Sequence, residues 1–447
     1  MSTRVPGRPR LMFRPATRLA THLRSARSGA AAVVCLVAAG ALGSMSAGCF
    51  DTASLGSGEG GSGGVAGPRW KPRIIQVEET EEEVTVGGNQ CLPGLTTDLD
   101  NDGFSAAQGD CNDCDPDMGP SAVEMLTAAG EPAKDEDCDG LVDEGDQECD
   151  AGLLVNDPFA MSAARALDLC EVAGNGRWGV ERAVWVLADG EKPPMLDSFA
   201  LGHGLIDRFG PNVGVRHGQR MLALSTGTAR QPTDPGYADP RGVDKGYESK
   251  PLEGLPSTTP TCPGVVAGLP HDSVALELVL RVPQNADALA FDFDFYTYEL
   301  PERVCTPHDD AFVALLSAST SSSAFTNLAL DGAGNLIRVN GALMDACTCE
   351  GGPPCFFGGR EHPCSLGGAP LLGTGFGEDT SPNLGDRAAT GWLTTSTPVE
   401  RGGQITLRLA IQDAGDPQLD STVLVDHFRW RREEPQVARV RRDDAEE

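Results

Sequence analysis

Residues 289–300 read LAFDFDFYTYEL. Leu289, Phe291, Phe293 and Phe295 stand two apart, with Ala290, Asp292, Asp294 and Tyr296 between them. A period of two sends alternate side chains to opposite faces of a strand, so this stretch predicts a half-buried β-strand. The alternation recurs on both sides of it. Val274, Leu276, Leu278, Leu280 and Val282 form one set, and Ile405, Leu407, Leu409 and Ile411 another. Thr422, Leu424, Asp426, Phe428 and Trp430 repeat it less cleanly. Shorter candidates lie at 183–187, 221–224 and 312–316. The chain holds 55 Gly and 32 Pro in 447 residues, which supplies turns in quantity. Six or seven such strands with Gly/Pro-rich loops predict a mainly β chain. The expected architecture over residues 151–432 is an antiparallel, jelly-roll-like β-sandwich. One helix is expected from Asn156 to Cys170, capped by Asp157 with Pro158 at its first position.

The charge of the chain is uneven. Its formal net charge is −30, yet residues 1–48 carry seven Arg and no acid. That basic stretch precedes the apolar run Ala30–Leu42 and small residues up to Cys49. The order is that of an export signal, and the run is shorter than the roughly 20 apolar residues of a membrane span. Ser46-Ala47-Gly48-Cys49 resembles a bacterial lipobox, with Ser46 departing from the usual aliphatic residue. The resemblance implies a diacylglycerol thioether at Cys49. Residues 49–90 then read as a lipid-anchored flexible linker, Gly/Ser-rich over 55–67 and Glu-rich over 78–83. Residues 433–447 read as a charged tail. Setting aside Cys35 and Cys49, the remaining Cys of the 14 are even in number, which suits disulfides in an oxidising compartment. The expected location is the bacterial outer membrane or cell surface, or the periplasm. Strong acidity argues against a nucleic-acid partner.

Residues 91–150 form an Asp-rich module. From Asp98 to Asp150 there are 18 acids and one base, Lys134. Such a segment is either disordered or neutralised by cations, and spacing favours cations. Asp98, Asp100 and Asp102 precede Gly103, and Asp135, Asp137 and Asp139 precede Gly140; Asp113, Asp115 and Asp117 stand between them. Alternating carboxylates followed by Gly make the front half of a calcium loop, with Phe104 and Leu141 placed to offer backbone carbonyls. The back half departs from an EF-hand, because Gly109 stands where a closing Glu would. Asp110, Asp143 and Glu144 are candidates to complete the ligand sets. The module contains no His and no Trp, so copper(I) would have only Met118, Met125 and Cys. Calcium with a structural role is therefore expected, with copper as the alternative.

The combined spacing over 98–144, with Asp110-Cys111, Pro120, Ala122, Glu124 and the final DxDCDGxxDE, resembles the MopE-type acidic metal-binding motif of secreted bacterial proteins. That resemblance implies a disulfide between Cys111 and Cys138. Residues 153–430 resemble the choice-of-anchor L domain of bacterial surface proteins. Four blocks carry it: 198–227, 289–300, Asp309-Asp310-Ala311-Phe312, and Leu409–Asp416 with Asp420-Ser421 and the strand after them. The resemblance implies a surface location more than an activity.

The sandwich region shows no GxSxG, HExxH, P-loop or Rossmann pattern, so no catalytic residues are assigned and no enzyme activity is expected. A secreted carbohydrate-active hydrolase rests on fold-level analogy alone. The six His after the signal stand singly, and Gly202-His203-Gly204 reads as a flexible turn. Asp413, Asp416 and Asp420 fit a calcium loop or a plain Asx-rich turn equally. The loop CTCEGGPPCFFGGREHPC at 347–364 fits disulfides better than zinc. Its Phe356 and Phe357 read either as a binding tip or as a cap on the core. Together these features predict an exported, lipid-anchored surface protein. A calcium-stabilised acidic stalk would carry a β-sandwich that binds an extracellular protein or glycan. Metal storage is the alternative.

Overall fold

Inward-facing residues of two antiparallel sheets make the main core. The computed structural model describes residues 96–126, 130, 132–144, 148–252, 255–318, 325–377 and 387–432, and the backbone of 439–442. The expected signal, Cys49 and the 49–90 linker lie outside these residues. In chain order the main strands are β1 (Gly179–Val186), β2 (His203–Ile206), β3 (Met221–Ser225), β4 (Pro270–Arg281), β5 (Ala288–Thr297) and β6 (Ala311–Ala318). They continue with β7 (Thr326–Asn327), β8 (Leu393–Pro398), β9 (Gln404–Ala414), β10 (Ser421–Arg431) and β11 (Arg439–Arg442). One sheet runs β1-β4-β9-β6-β7 and the other β11-β8-β5-β10-β3-β2. All these pairings are antiparallel.

Register follows the period-two pattern. Leu276 faces Leu409 and Leu278 faces Leu407 in the first sheet; Phe293 faces Val425 and Phe295 faces Val423 in the second. All eight join one buried core with Leu280, Phe291 and Phe312. The rings of Phe293 and Phe312 bridge the sheets, 5.3 Å between centroids. Full burial of each such side chain stabilises the fold by about 1.5–3 kcal/mol.

In its strands and helix the sandwich departs from the sequence expectation in four places. First, β5 is buried on both faces, not one. Ile206, Phe209, Val213, Leu371 and Phe376 pack over the outer side of the larger sheet and enclose Tyr296. Second, the expected helix of Asn156–Cys170 is only Ala160–Arg165, preceded by Phe159. Asp157 is not its cap: it accepts the Phe159 amide at 3.0 Å in an Asx turn. Third, β2 and β8 carry no hydrophobic alternation that would mark them. The inward positions of β8 are Leu393, Thr395 and Thr397. Fourth, β11 lies in the segment read as a charged tail and pairs with β8.

Five disulfides have both partners among the described residues: they join Cys111 to Cys138, Cys149 to Cys170, Cys262 to Cys305, Cys347 to Cys364 and Cys349 to Cys355. The last two account for all four Cys of the 347–364 loop, so none of them is a free thiolate for zinc. The Asp-rich module is docked on the sandwich and does not stand off as a stalk. Asn285 accepts the Val123 amide at 3.0 Å and donates to its carbonyl at 2.8 Å. The Trp178 indole donates to the Ala122 carbonyl, and Val123 itself joins the main core. Arg401 and Arg432 both pair with Asp117.

Candidate metal centre

Two short loops in the module share their left-handed positions and most of their hydrogen bonds. In the first, Asp98 accepts the amides of Asn101 and Gly103; in the second, Asp135 accepts those of Asp139 and Gly140. Asp102 accepts the Phe104 amide and Asp139 the Leu141 amide, both at 2.7 Å. Asn101 and Cys138, at matching positions, have φ of 66° and 61°; Gly103 and Gly140 have 102° and 94°. The two glycines permit this left-handed backbone with no Cβ penalty.

The equivalence extends to a residue outside each loop. Asp113 accepts the Leu99 amide at 2.7 Å and the Ala106 amide at 3.2 Å. Glu124 accepts the Glu136 amide at 3.1 Å and the Asp143 amide at 2.8 Å. These are the second and ninth positions of the respective loops. Asp113 and Glu124 therefore occupy one structural role, that of the carboxylate closing each loop. Glu124 was not among the expected ligands. Its link to the second loop shows only in the fold, because it precedes that loop in the chain.

Carboxylate oxygens converge in four groups: Asp98, Asp100 and Asp113; Asp100, Asp102 and Asp110; Glu124, Asp137 and Glu144; and Asp135, Asp137 and Asp139. Asp143 is not in any of these groups, nor are Asp115 and Asp117. Asp115 faces Lys134 at 3.6 Å, and Asp117 faces Arg401 and Arg432. Burial raises the pKa of Asp102 to about 6 against the amide of Phe104, with Asp100 and Asp110 adding repulsion. Burial likewise raises Glu124 to about 7, with help from Glu144 and Glu136. Asp100, Asp110 and Asp137 are raised for the same reason.

The donor set fits a hard cation. Asp100 Oδ2, Asp110 Oδ2 and Glu144 Oε2 are buried without a hydrogen-bond partner among the described residues. Gly119 lets the chain pass close to Asp102, since a Cβ there would lie 2.3 Å from Oδ2. Cys111, Cys114, Cys138 and Cys149 are all disulfide-bonded and offer no thiolate. Met118 sulfur accepts the Asn112 side-chain amide at 3.5 Å. Oxygen ligands at several carboxylates suit calcium better than a soft metal.

The sandwich places the other sequence-marked residues differently. Phe356 and Phe357 part company on the hairpin Cys355–Phe357/Arg360–His362. Phe356 is 65% exposed, while Phe357 is buried in the core beside His362. Only Phe356 is therefore available as a tip. His203 begins β2 and is buried, so Gly202-His203-Gly204 is not a flexible turn. A Cβ on Gly204 would meet the Ala229 carbonyl at 2.4 Å, which explains the glycine by close packing. His217 and His427, far apart in sequence, stack with centroids 5.3 Å apart. His217 Nδ1 lies 2.9 Å from Asp168, and His427 Nδ1 lies 3.4 Å from Asp292. Arg216 and Arg429 also reach Asp292, and Arg216 lies over the Trp392 ring at 5.7 Å. Burial opposes ionisation of Asp292, but its hydrogen bond to His427, the Arg429 charge and Thr394 outweigh it and bring the pKa down to about 2. This partly exposed patch of cations, carboxylate and indole was invisible in sequence because four separate segments build it. A separate cavity of about 150 Å³ is mostly apolar, with Leu252, Leu255, Leu269, Phe312 and Ile337 in its wall.

The fold and these sites define a disulfide-stapled β-sandwich carrying a docked acidic module, and no helix among the described residues is long and apolar enough to cross a membrane. The family model for the choice-of-anchor L domain matches residues 224–428, from β3 through most of β10. No curated protein matches the chain. Two solved structures are similar to it. One is TmCBM61 in complex with β-1,4-galactotriose, at 10% identity and a TM-score of 0.21, covering 57% of this chain and 90% of that one. The other is CBM28, a carbohydrate-binding module specific for non-crystalline cellulose, at 10% identity and a TM-score of 0.21, covering 52% and 90%. Likeness at this TM-score has no weight for fold or ligand. The domain match and the disulfides fit an extracellular surface protein.

Proposed function

We propose that this chain is an exported surface-binding protein whose acidic module is ordered by calcium and whose sandwich binds an extracellular protein or glycan. The observation that carries the calcium reading is the paired loop geometry: two DxDxDG turns whose first Asp accepts the glycine amide, each closed by an outside carboxylate that accepts the amides of the second and ninth positions. Calcium here is structural. It offsets repulsion among the converging carboxylates, and so lets the module dock. Extracellular calcium modules work at about 0.1–1 mM, a concentration their surroundings supply. Copper handling is the second reading, supported by the sequence resemblance, and the disulfide-bonded Cys weigh against it. The ligand face we favour is the patch of Trp392, Arg216, His217, His427 and Arg429 around Asp292.

Lipid attachment at Cys49 rests on the lipobox-like sequence and accounts for retention at the envelope. Globomycin-sensitive processing, and release from membranes in Cys49→Ala, are the outcomes that support it. For the metal, the exported chain is titrated by calorimetry with calcium and, separately, with copper(I). Calcium binding with slower proteolysis of residues 96–150 is expected. Tight copper binding with no calcium response would replace this reading by metal storage.

A further inference from the structure

We propose a second, separate cation site, buried at one end of the sandwich, where the carboxylates of Asp310 and Asp413 hold a calcium ion and Glu299 and Asp420 complete its oxygen shell. The site lies outside the acidic module and does not depend on calcium binding there.

The four residues come from two neighbouring connections. Glu299 and Asp310 lie between β5 and β6; Asp413 closes β9 and Asp420 precedes β10. Each is at most 1% exposed. Among the described residues, both carboxylate oxygens of Asp413 lack a hydrogen-bond donor, as do both of Asp420, Oδ2 of Asp310 and Oε1 of Glu299. The Val243 amide lies beside Asp420 without forming a well-aligned bond. Asp310 and Asp413 approach within hydrogen-bond reach of each other, two acceptors face to face. The remaining contacts are weak or already used. Asp310 accepts the Ala414 amide at 3.2 Å and lies beside the Ser421 hydroxyl, which donates to Thr297 at 3.0 Å, and Glu299 accepts the Asp310 amide at 3.5 Å.

Neighbouring bases neutralise this group only in part. Arg338 is paired with Asp309, and Arg303 and His308 face Asp416 at the rim. Lys245 is the one buried ammonium nearby among the described residues; it donates to the Ser225 carbonyl at 2.8 Å and is shared among Asp272, Asp413 and Asp420. Burying several carboxylates with few donors and one shared counter-charge is costly, so folded proteins pair such groups or give them a metal. A cluster of carboxylate oxygens selects a hard divalent cation, and the ion-accommodating flexibility of calcium suits ligands drawn from two loops. The four carboxylates do not yet stand at single-ion spacing, as the groups of the acidic module do. The ion therefore sits on the close Asp310–Asp413 pair and draws the other two inward.

The test uses the whole exported chain carrying Asp100→Asn and Asp137→Asn, which disable both loops of the module. Equilibrium dialysis is expected to find a single calcium retained per chain and the apparent Tm rising with calcium. Adding Asp413→Asn should abolish both effects. No retained calcium, or retention that survives Asp413→Asn, overturns the proposal; in the first case the cluster is held together by shared protons. If Asp413→Asn does not fold, crystals of the unmodified chain grown with terbium decide the matter. An anomalous peak between Asp310 and Asp413 supports the site, and peaks confined to residues 98–144 refute it. If the acidic loops bind no calcium, Asp100→Asn/Asp137→Asn leaves the bound calcium unchanged, which separates failure of that reading from failure of this one.

Discussion

His203 shows how a single residue acquires a role that its sequence context hides. Its imidazole stacks on Trp185 with centroids 3.9 Å apart, and Phe199 stands edge-on at 6.1 Å. Arg230 donates to its backbone carbonyl. Burial, then the charges of Arg230 and Lys245, lower its pKa to about 3. The folded value lies below the unfolded one near 6.5, so the neutral ring contributes its full stability above pH 6.5. That contribution is lost as pH falls toward 3, at about 1.4 kcal/mol per pH unit. Asp294 and Asp426 are both raised to about 7 by burial and act with opposite sign over the same range. The decisive quantity is therefore a difference. Between pH 7 and 5 in urea unfolding, His203→Gln should gain stability relative to the unsubstituted chain as pH falls; parallel curves would show that His203 titrates normally.

At the scale of the element, the two DxDxDG loops divide into what spacing declares and what only folding assembles. The DxDxDG runs declare themselves, because alternating Asp before Gly is the local condition for a turn that gathers oxygens. The closing carboxylates do not. Asp113 follows its loop and Glu124 precedes its own, so no single offset would find both. Glu124→Gln keeps the side-chain shape and removes a charge. It should abolish calcium binding at the second loop and leave the first intact, with Asp113→Asn giving the reverse. Calorimetric stoichiometry checks this: each variant should lose only its own loop's share, and equal loss at both loops would show that they form one coupled site. The sheet strands follow the same division. Period two in 289–295 and 405–411 marked β5 and β9 correctly, whereas β8, with Thr395 and Thr397 turned inward, gave no apolar signal.

For the whole molecule, the consequential feature is how the acidic module sits. Asn285, fully buried, holds both backbone groups of Val123, and the Gln284 amide donates to the Ser121 carbonyl. Asn285→Ala would leave the Val123 amide and carbonyl unpaired, at about 1–3 kcal/mol each. Limited proteolysis should then cut near residues 121–126 while the sandwich stays folded; cleavage unchanged from the parent chain would show that Asn285 does not hold the module. The amino-acid sequence alone determined that the chain is mainly β, which stretches form the central strands, and where acidic side chains are concentrated. These are local properties, set by side-chain period and by the offsets of Asp from Gly. Tertiary structure alone decided that both faces of β5 are covered and that the module is docked. It also decided that Phe356 and Phe357 take opposite environments, and that Glu299, Asp310, Asp413 and Asp420 meet in one buried cluster. Each of these depends on contacts between segments tens to hundreds of residues apart, and pairing at that range is fixed by packing of the whole chain and not by any local pattern.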